Sequence, residues 1–358
     1  MVSLQGKAFQ ITSNNNNINP TVISLTETKI AVLWNDVSGT YKSAKVSEVD
    51  VTTGAVLCTA SIGPSNKNVK ASSLLKYNAN KYIVSWTQDN GDYEGYIRAY
   101  SNCGPLEDAE KLDSSSHYNV AKVSLARLEG NEFVTVWNTI RYHGDHNHYR
   151  VRGEIYELEG DNKIDDHKTL SFASDSRDIQ AQSAVTSFAS GRSIAVWREQ
   201  KGNNEIRAKI FYSSGHSVSS DWEVSQGSDQ HGNPNIATIG NKAFVVWYKE
   251  TGSNKGIYGR LIDENNSPVA DQIYIRDISG SNVQPKVTVV DNKFLVHWSD
   301  STGKVFVKVY DSEGNFINTE CNVLDSNVGS DNYSSDKLSS KEIVYSWSQD
   351  EQIYVGIK

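Results

Sequence analysis

A chain of 358 residues, 37% of them hydrophobic and 22% charged with only 6 prolines, has the balance of a globular protein, which excludes a disordered or collagen-like polymer. No run of eighteen apolar residues occurs, so no membrane-spanning helix is expected. A net charge of −8 excludes a nucleic-acid binder whose affinity rests on phosphate neutralisation.

In chain order, the opening residues Met1-Val2-Ser3-Leu4 have neither a basic nor an apolar targeting region. The chain is therefore expected to be cytosolic, or to begin at the mature end of an exported protein. Gly6 to Ser13 (GKAFQITS) reads as a short strand, followed by a polar stretch and a second strand from Asn19 to Ile23. Next comes KIAVLW, and this string recurs as KYIVSW, EFVTVW, RSIAVW, KAFVVW, KFLVHW and EIVYSW. The seven strings end at Trp34, Trp86, Trp137, Trp197, Trp247, Trp298 and Trp347, at spacings of 52, 51, 60, 50, 51 and 49 residues. Seven of the eight tryptophans are thus one position repeated seven times. The residues before each Trp are apolar on both alternating faces, as at Ala243, Phe244, Val245 and Val246, which predicts strands covered on both sides.

After each Trp, a polar stretch leads to an alternating strand such as RAKIFY or KVFVKVY. A turn follows, usually with glycine (Gly54, Gly104, Gly160, Gly215, Gly314), and then a short fourth strand such as QIYIRD. Four strands at this period, with no helical periodicity, predict an all-β fold. It is expected to be a seven-bladed β-propeller of four-stranded antiparallel blades, one domain over residues 1–358. The last unit stops at Lys358 without a fourth strand, while the first residues supply a spare one. The N-terminal strand is therefore expected to complete the last blade and close the ring, removing an open edge.

The V-x-W strand, the G-x-x-x-x-R/K strand after it, and the lead-ins Asn19-Pro20, Asn233-Pro234 and Gln284-Pro285 resemble the Trp-centred propeller repeats of surface and secreted proteins. The resemblance covers essentially the whole chain. It implies a fold and carries over no catalytic residue. The Gly-His…Trp-Asp pairing of WD40 repeats, the double glycines of kelch repeats and the Asp box of sialidases do not occur.

In a propeller, the loops from second to third strand and from fourth strand to the next blade share one face, where function often gathers. Six acids follow the repeated Trp by two or three positions on that face: Asp36, Asp89, Glu199, Glu250, Asp300 and Asp350. Such a collar attracts cations or a basic partner. The alternative is turn chemistry, which explains Asp better than Glu. Within the series, Asp89-Asn90-Gly91-Asp92-Tyr93-Glu94 has the oxygens of a calcium loop without EF-hand spacing. The insertion Arg141 to Arg150 carries His143, Asp145, His146 and His148, a donor set suited to Zn, Cu or Ni. Its plainer reading is a solvated hairpin tip. His117 and His231 fall on the same face. Trp222, outside the repeat series, is available to a ligand or to packing in an outer strand. Beyond such a divalent metal no cofactor is expected. Cys58, Cys103 and Cys321 show neither metal-ligand spacing nor the density of a disulfide framework, so three unpaired thiols are expected.

No G-x-S-x-G elbow, H-E-x-x-H or phosphate loop is present. The expected function is a non-enzymatic binding protein that uses a rigid propeller as a platform for a protein partner. A lectin with one or a few glycan sites is the second reading, because the hairpin loops differ too much for seven equal sites. The third is a polysaccharide hydrolase or lyase with paired acids at the channel mouth.

Overall fold

Each Trp-ending string is the second strand of its own antiparallel sheet in the computed structural model. The structure describes residues 7–13, 16–112, 119–143, 146–160, 162–172, 179–252, 254–265, 267–278, 283–324, 328, 332–339 and 341–358. The inner strands are Asn17–Ser24, Val69–Lys76, Asn119–Arg127, Ile179–Ser187, His231–Ile239, Lys286–Val290 and Tyr333–Lys337, for blades 1 to 7. Each touches the next, and the last touches the first. This is a seven-bladed β-propeller, and no described residue is helical. Six sheets have four strands. In blade 2 the outer edge is broken, so that Gly104–Pro105 and Glu110–Leu112 both pair with Tyr93–Ser101.

Closure comes from the N-terminal strand. Ala8–Gln10 pairs antiparallel with Gln352–Ile357, in the register Ala8 to Gly356, and forms the outer strand of blade 7. Ile11 N–H donates to the Ile353 carbonyl, and Ile353 N–H donates to Thr12 Oγ1. Phe9 also reaches blade 1, where a Cβ on Gly54 would lie 2.1 Å from the Phe9 ring. Gly54, at φ +77°, is therefore held to glycine both by its backbone and by the ring above it.

The apolar core is not central. It is divided into seven walls, each shared by two adjacent blades. The indole of each repeated Trp sits in the wall shared with the preceding blade, and none is more than 6% exposed. In blades 2, 5, 6 and 7 the indole stacks on the aromatic directly opposite it, as Trp86 does on Tyr96 and Trp298 on Phe306. In blades 1, 3 and 4 the opposite residue is Lys45, Arg152 or Arg207. Replacing a buried Trp by Ala removes the largest side chain of a wall, a change of about 3–5 kcal/mol.

The expectation of unpaired thiols is corrected. Cys58 and Cys103 form a disulfide with Cα atoms 6.0 Å apart. Cys58 lies on the outer strand Val56–Ile62 of blade 1, and Cys103 in the turn after the third strand of blade 2. Their separation of 45 residues is close to one repeat, which brings the turn of one blade against the outer strand of the one before. The pairing is thus a consequence of the ring, invisible in local spacing. Glu48, 1% exposed, accepts the Cys103 N–H and pairs with Lys29 beside this bridge.

The inner strands carry the feature that shapes the channel mouth. In blades 1 to 5 their pairing with the second strand slips near the start, between Ile18 and Thr21, Ala71 and Ser73, Val120 and Val123, Ala181 and Ala184, and Gly232 and Asn235. These are β-bulges. The lead-in prolines Pro20 and Pro234 fall inside them, where no ladder N–H is required. Asn19, Gln182 and Asn233 take the left-handed conformation there, with φ of 54°, 56° and 53°.

Candidate functional site

A bulge releases backbone N–H groups from the sheet. Here they donate to amide oxygens of the preceding blade. Ala71 N–H donates to Asn35 Oδ1 at 2.7 Å, Ser183 N–H to Asn138 Oδ1 at 3.1 Å, and Asn233 N–H to Gln182 Oε1 at 2.8 Å. Val287 N–H reaches Asn235 Oδ1 at 2.9 Å, and Asn19 N–H reaches Asn332 Oδ1 at 3.2 Å, across the seam between the last blade and the first. Five of the seven blade boundaries are therefore bridged by an Asn or Gln at one end of the channel. Because the oxygen is tied to a backbone N–H, the amino end of each amide is left to point elsewhere.

Among the described residues, two cavities open at this end. The larger, about 480 Å³, spans blades 1 to 3. Asn35, Asn68 and Asn119 line it, and each has its oxygen committed, Asn68 to Lys42 N–H at 3.1 Å and Asn119 to Tyr93 N–H at 2.7 Å; the amino ends of Asn68 and Asn119 donate in turn to Asp89 at 3.5 Å and Asp92 at 3.4 Å. Lys42 and Lys70 also line it, both exposed, and among the described residues neither ammonium pairs with a carboxylate. Tyr93 stands at its edge, 40% exposed. The smaller cavity, about 260 Å³, is lined by Lys122, Gln182, Asn233, Asn235, Gln284 and Lys286 together with Pro234 and Pro285. Among the described residues, no acid and no histidine lines either cavity.

The acids of the collar are at the hairpins, and most of them have partners close by. Asp36 is buried; burial pushes its carboxyl up, but hydrogen bonds from Lys45 (2.6 Å) and Ser38 outweigh this and hold its pKa at about 2. Asp89 accepts Gly91 N–H within its own turn. Glu199, 3% exposed, accepts from Gln180 Nε2 and pairs at 2.8 Å with Arg207, which also holds Glu205 and Asp221. Asp300 accepts the N–H groups of Thr302 and Lys304 and the Thr302 hydroxyl. These bonds outweigh its partial burial and lower its pKa. Asp350 sits exposed with positive φ, beside Glu351, in a two-residue hairpin turn. Glu250 is half-buried, with an oxygen 3.1 Å from where a Cβ on Gly232 would stand. In the proposed calcium loop, Glu94 is taken by Lys111 at 2.5 Å and by Tyr96.

The third-blade hairpin is long, pairing Glu132–His143 with His146–Leu158. Its register sets His143 opposite His146 and Arg141 opposite His148. His148 is half-buried, while Asp145, His117 and the side chains of His143 and His146 lie outside the described residues. His231 is in the core rather than in solvent, 1% exposed and accepting the Trp247 indole N–H at Nδ1. Burial lowers its pKa to about 4. Trp222 is half-buried on the two-residue outer strand of blade 4, packed on the wall between blades 4 and 5 with the Arg260 guanidinium 5.9 Å from its ring.

The amides of the mouth were not singled out in the sequence. A signal was present in Asn19-Pro20, Asn233-Pro234 and Gln284-Pro285, which mark the bulges and the lead-in whose N–H groups need partners.

No protein-family profile matches this chain, and no curated protein matches it in sequence. Many solved structures share its fold. The chain is similar to polysaccharide lyase Uly1 at a TM-score of 0.61 and 8% identity, over 98% of this chain and 91% of that one. It is similar to the Penicillium chrysogenum alpha-L-arabinanase solved with arabinobiose, at a TM-score of 0.53 and 11% identity, over 100% and 98%. Against the Trypanosoma rangeli sialidase the TM-score is 0.55 at 8% identity, over 99% of this chain and 60% of that one. Identities this low show a common fold and nothing finer.

Proposed function

We propose that the protein is a carbohydrate-binding propeller and that the cavity over blades 1 to 3 takes an acidic sugar. The observation that carries this reading is the pair of lysines in the lining. Lys42 and Lys70 bring charge without a carboxylate partner among the described residues, and Asn35, its oxygen tied to Ala71 N–H, adds an amino end, whereas the amino ends of Asn68 and Asn119 are directed at Asp89 and Asp92. A cavity of donors fits an oxyanion such as a uronate carboxylate or a sulfate ester. Tyr93 offers a ring face to the sugar body. The lyase, arabinanase and sialidase that share the fold make a carbohydrate ligand a natural test case, although the argument rests on the cavity.

Binding is preferred to cleavage because the described lining offers no carboxylate pair for glycoside hydrolysis. We take the Trp-centred repeats as a likeness to surface and secreted propellers, with which the Cys58–Cys103 bridge agrees. The metal reading of the His-rich hairpin stands as a separate proposal, decided by elemental analysis after dialysis against Zn or Ni.

A panel of neutral, uronate-containing, sialylated and sulfated glycans, read with and without EDTA, tests the main reading. Acidic glycans are expected to bind, more weakly as salt rises. Lys70→Ala is expected to weaken binding about tenfold, the loss of one charge-assisted hydrogen bond. Preference for neutral glycans, or a Lys70→Ala protein that binds as the parent does, would sink it.

A further inference from the structure

The bridge between blades 1 and 2 has a carboxylate built against it. Glu48 stands directly opposite Cys58 where the third and outer strands of blade 1 pair, so the two side chains share one face of the sheet. Its Oε1 accepts the Cys103 N–H at 3.1 Å, and its Oε2 pairs with Lys29 at 3.0 Å. A carboxylate oxygen of Glu48 and both sulfurs all lie within 4.8 Å of one another. Glu48 and Cys103 are buried, whereas Cys58 is half-buried on an edge strand. Tyr82 is buried beside them: burial, and then the charge of Glu48, raise its pKa, and its hydroxyl has no hydrogen-bond partner among the described residues. A neutral disulfide does not call for a buried carboxylate, which is costly to take out of water.

Two sulfurs and a carboxylate are instead the donor set of a thiophilic divalent cation. We propose that the reduced chain holds Zn²⁺ between Cys58, Cys103 and Glu48, so that metal and disulfide are alternative fastenings of blade 1 to blade 2. This is independent of the glycan reading. A thiol reductant attacks the Cys58 sulfur at the edge strand, giving a mixed disulfide and, after protonation, the Cys103 thiol. A second reductant thiol frees Cys58 and leaves as the reductant's own disulfide. Zn²⁺ then displaces a proton from each thiol. The two thiolates and Glu48 carry three negative charges, which Zn²⁺ and the Lys29 ammonium balance. Two Zn–S bonds of about 2.3 Å at the tetrahedral angle span about 3.8 Å. Rotation about the Cα–Cβ bonds gives the sulfurs that separation when the Cα atoms are 6.0 Å apart. Water fills the fourth position, beside the Tyr82 hydroxyl.

The test uses the full chain carrying Cys321→Ser, which leaves one pair of sulfurs. It is reduced with a phosphine, which takes an oxygen from water to become the phosphine oxide, then desalted without air and titrated with Co²⁺ or Zn²⁺ alone. Co²⁺ is expected to give thiolate-to-metal charge-transfer absorption, which Zn²⁺ abolishes. The reduced chain is expected to take up one equivalent of Zn²⁺ more than the oxidised chain, a difference from which any metal on the His-rich hairpin cancels. Its melting temperature should rise with that equivalent and fall back with EDTA. Cys58→Ser is expected to remove the charge-transfer band. Glu48→Gln keeps an oxygen for the Cys103 N–H and is expected to weaken Zn²⁺ binding by about tenfold or more. Equal uptake by reduced and oxidised chains, a band that survives Cys58→Ser, or full affinity in Glu48→Gln would each overturn the proposal. A bridge that the phosphine leaves intact in the folded chain would overturn it as well.

Discussion

The walls between blades and the mouth of the channel are made from the same strands, yet polar groups are treated oppositely in them. In the walls, polar atoms are internal fittings. Glu199 is enclosed by Gln180 and Arg207, Glu48 by Lys29 and Cys103, and His231 by Trp247. At the mouth, an amide such as Asn35 is half committed: its oxygen holds the next blade while its amino end is left to the cavity, and Lys42 and Lys70 are exposed. The difference teaches that a change in a wall should alter stability and leave binding alone, while a change at the mouth should do the reverse.

The largest expected effect is at the seam. Deleting residues 1–13 removes the strand Ala8–Gln10 and Phe9, exposes the edge of Gln352–Ile357 and opens the wall between blades 7 and 1. The whole ring is expected to lose its cooperative unfolding transition, followed by circular dichroism on heating. A truncated chain that melts like the parent would show that closure is not what stabilises the walls.

Next is the bridge between blades 1 and 2. A cross-link closing 45 residues restricts the unfolded chain by about 4 kcal/mol in the loop-entropy picture. The paired Cys58→Ser and Cys103→Ser variant is expected to lose up to that amount in denaturant titration, with glycan affinity unchanged. Altered affinity in this variant would mean that walls and mouth are coupled.

The buried histidines set a pH limit on the walls. Burial lowers His231 to about 4 and His297 to about 3, in the latter case with Lys286 adding to the effect. Both are neutral when folded and take up a proton when unfolded below about pH 6.5. The unfolded state then binds more protons, so stability is fully present above about pH 6.5 and falls as pH drops toward 4 and 3. The slope is about 1.4 kcal/mol per pH unit for each histidine. His297→Phe is expected to flatten this slope in pH-dependent denaturation. An unchanged slope would place the titrating group elsewhere.

The smallest effects separate the collar acids from the mouth lysines. Asp300→Asn keeps an oxygen for the turn and is expected to change stability by less than about 0.5 kcal/mol, with no change in glycan binding. Lys42→Ala, at an exposed side chain of the cavity, is expected to weaken acidic-glycan binding with little loss of stability. Weaker binding in Asp300→Asn would restore the collar as part of the site.

Much of this architecture is legible without coordinates. The sevenfold Trp series, the strand that is apolar on both faces and the spare N-terminal strand depend on local composition and on period, and a repeat reports its period directly. The candidate site was less legible. The acids of Asp36 and Asp300 are prominent in the sequence because they recur at a fixed offset, but recurrence there reflects the hairpin's need for a turn acceptor. The lysines and amides of the mouth recur at no fixed offset, because they come from inner strands, lead-ins and hairpins of different blades.

The sequence by itself determined the number of blades, the order of strands, the place of each indole and the way the ring closes, since each follows from contacts within one repeat or between neighbouring repeats. Only the tertiary structure decided that Cys58 meets Cys103, that His231 is sealed beneath Trp247, and that Lys42 and Lys70 line one cavity in a chain of net negative charge. Those outcomes depend on the angle at which blades converge on a common axis, which brings together residues whose separation along the chain carries no mark of their meeting.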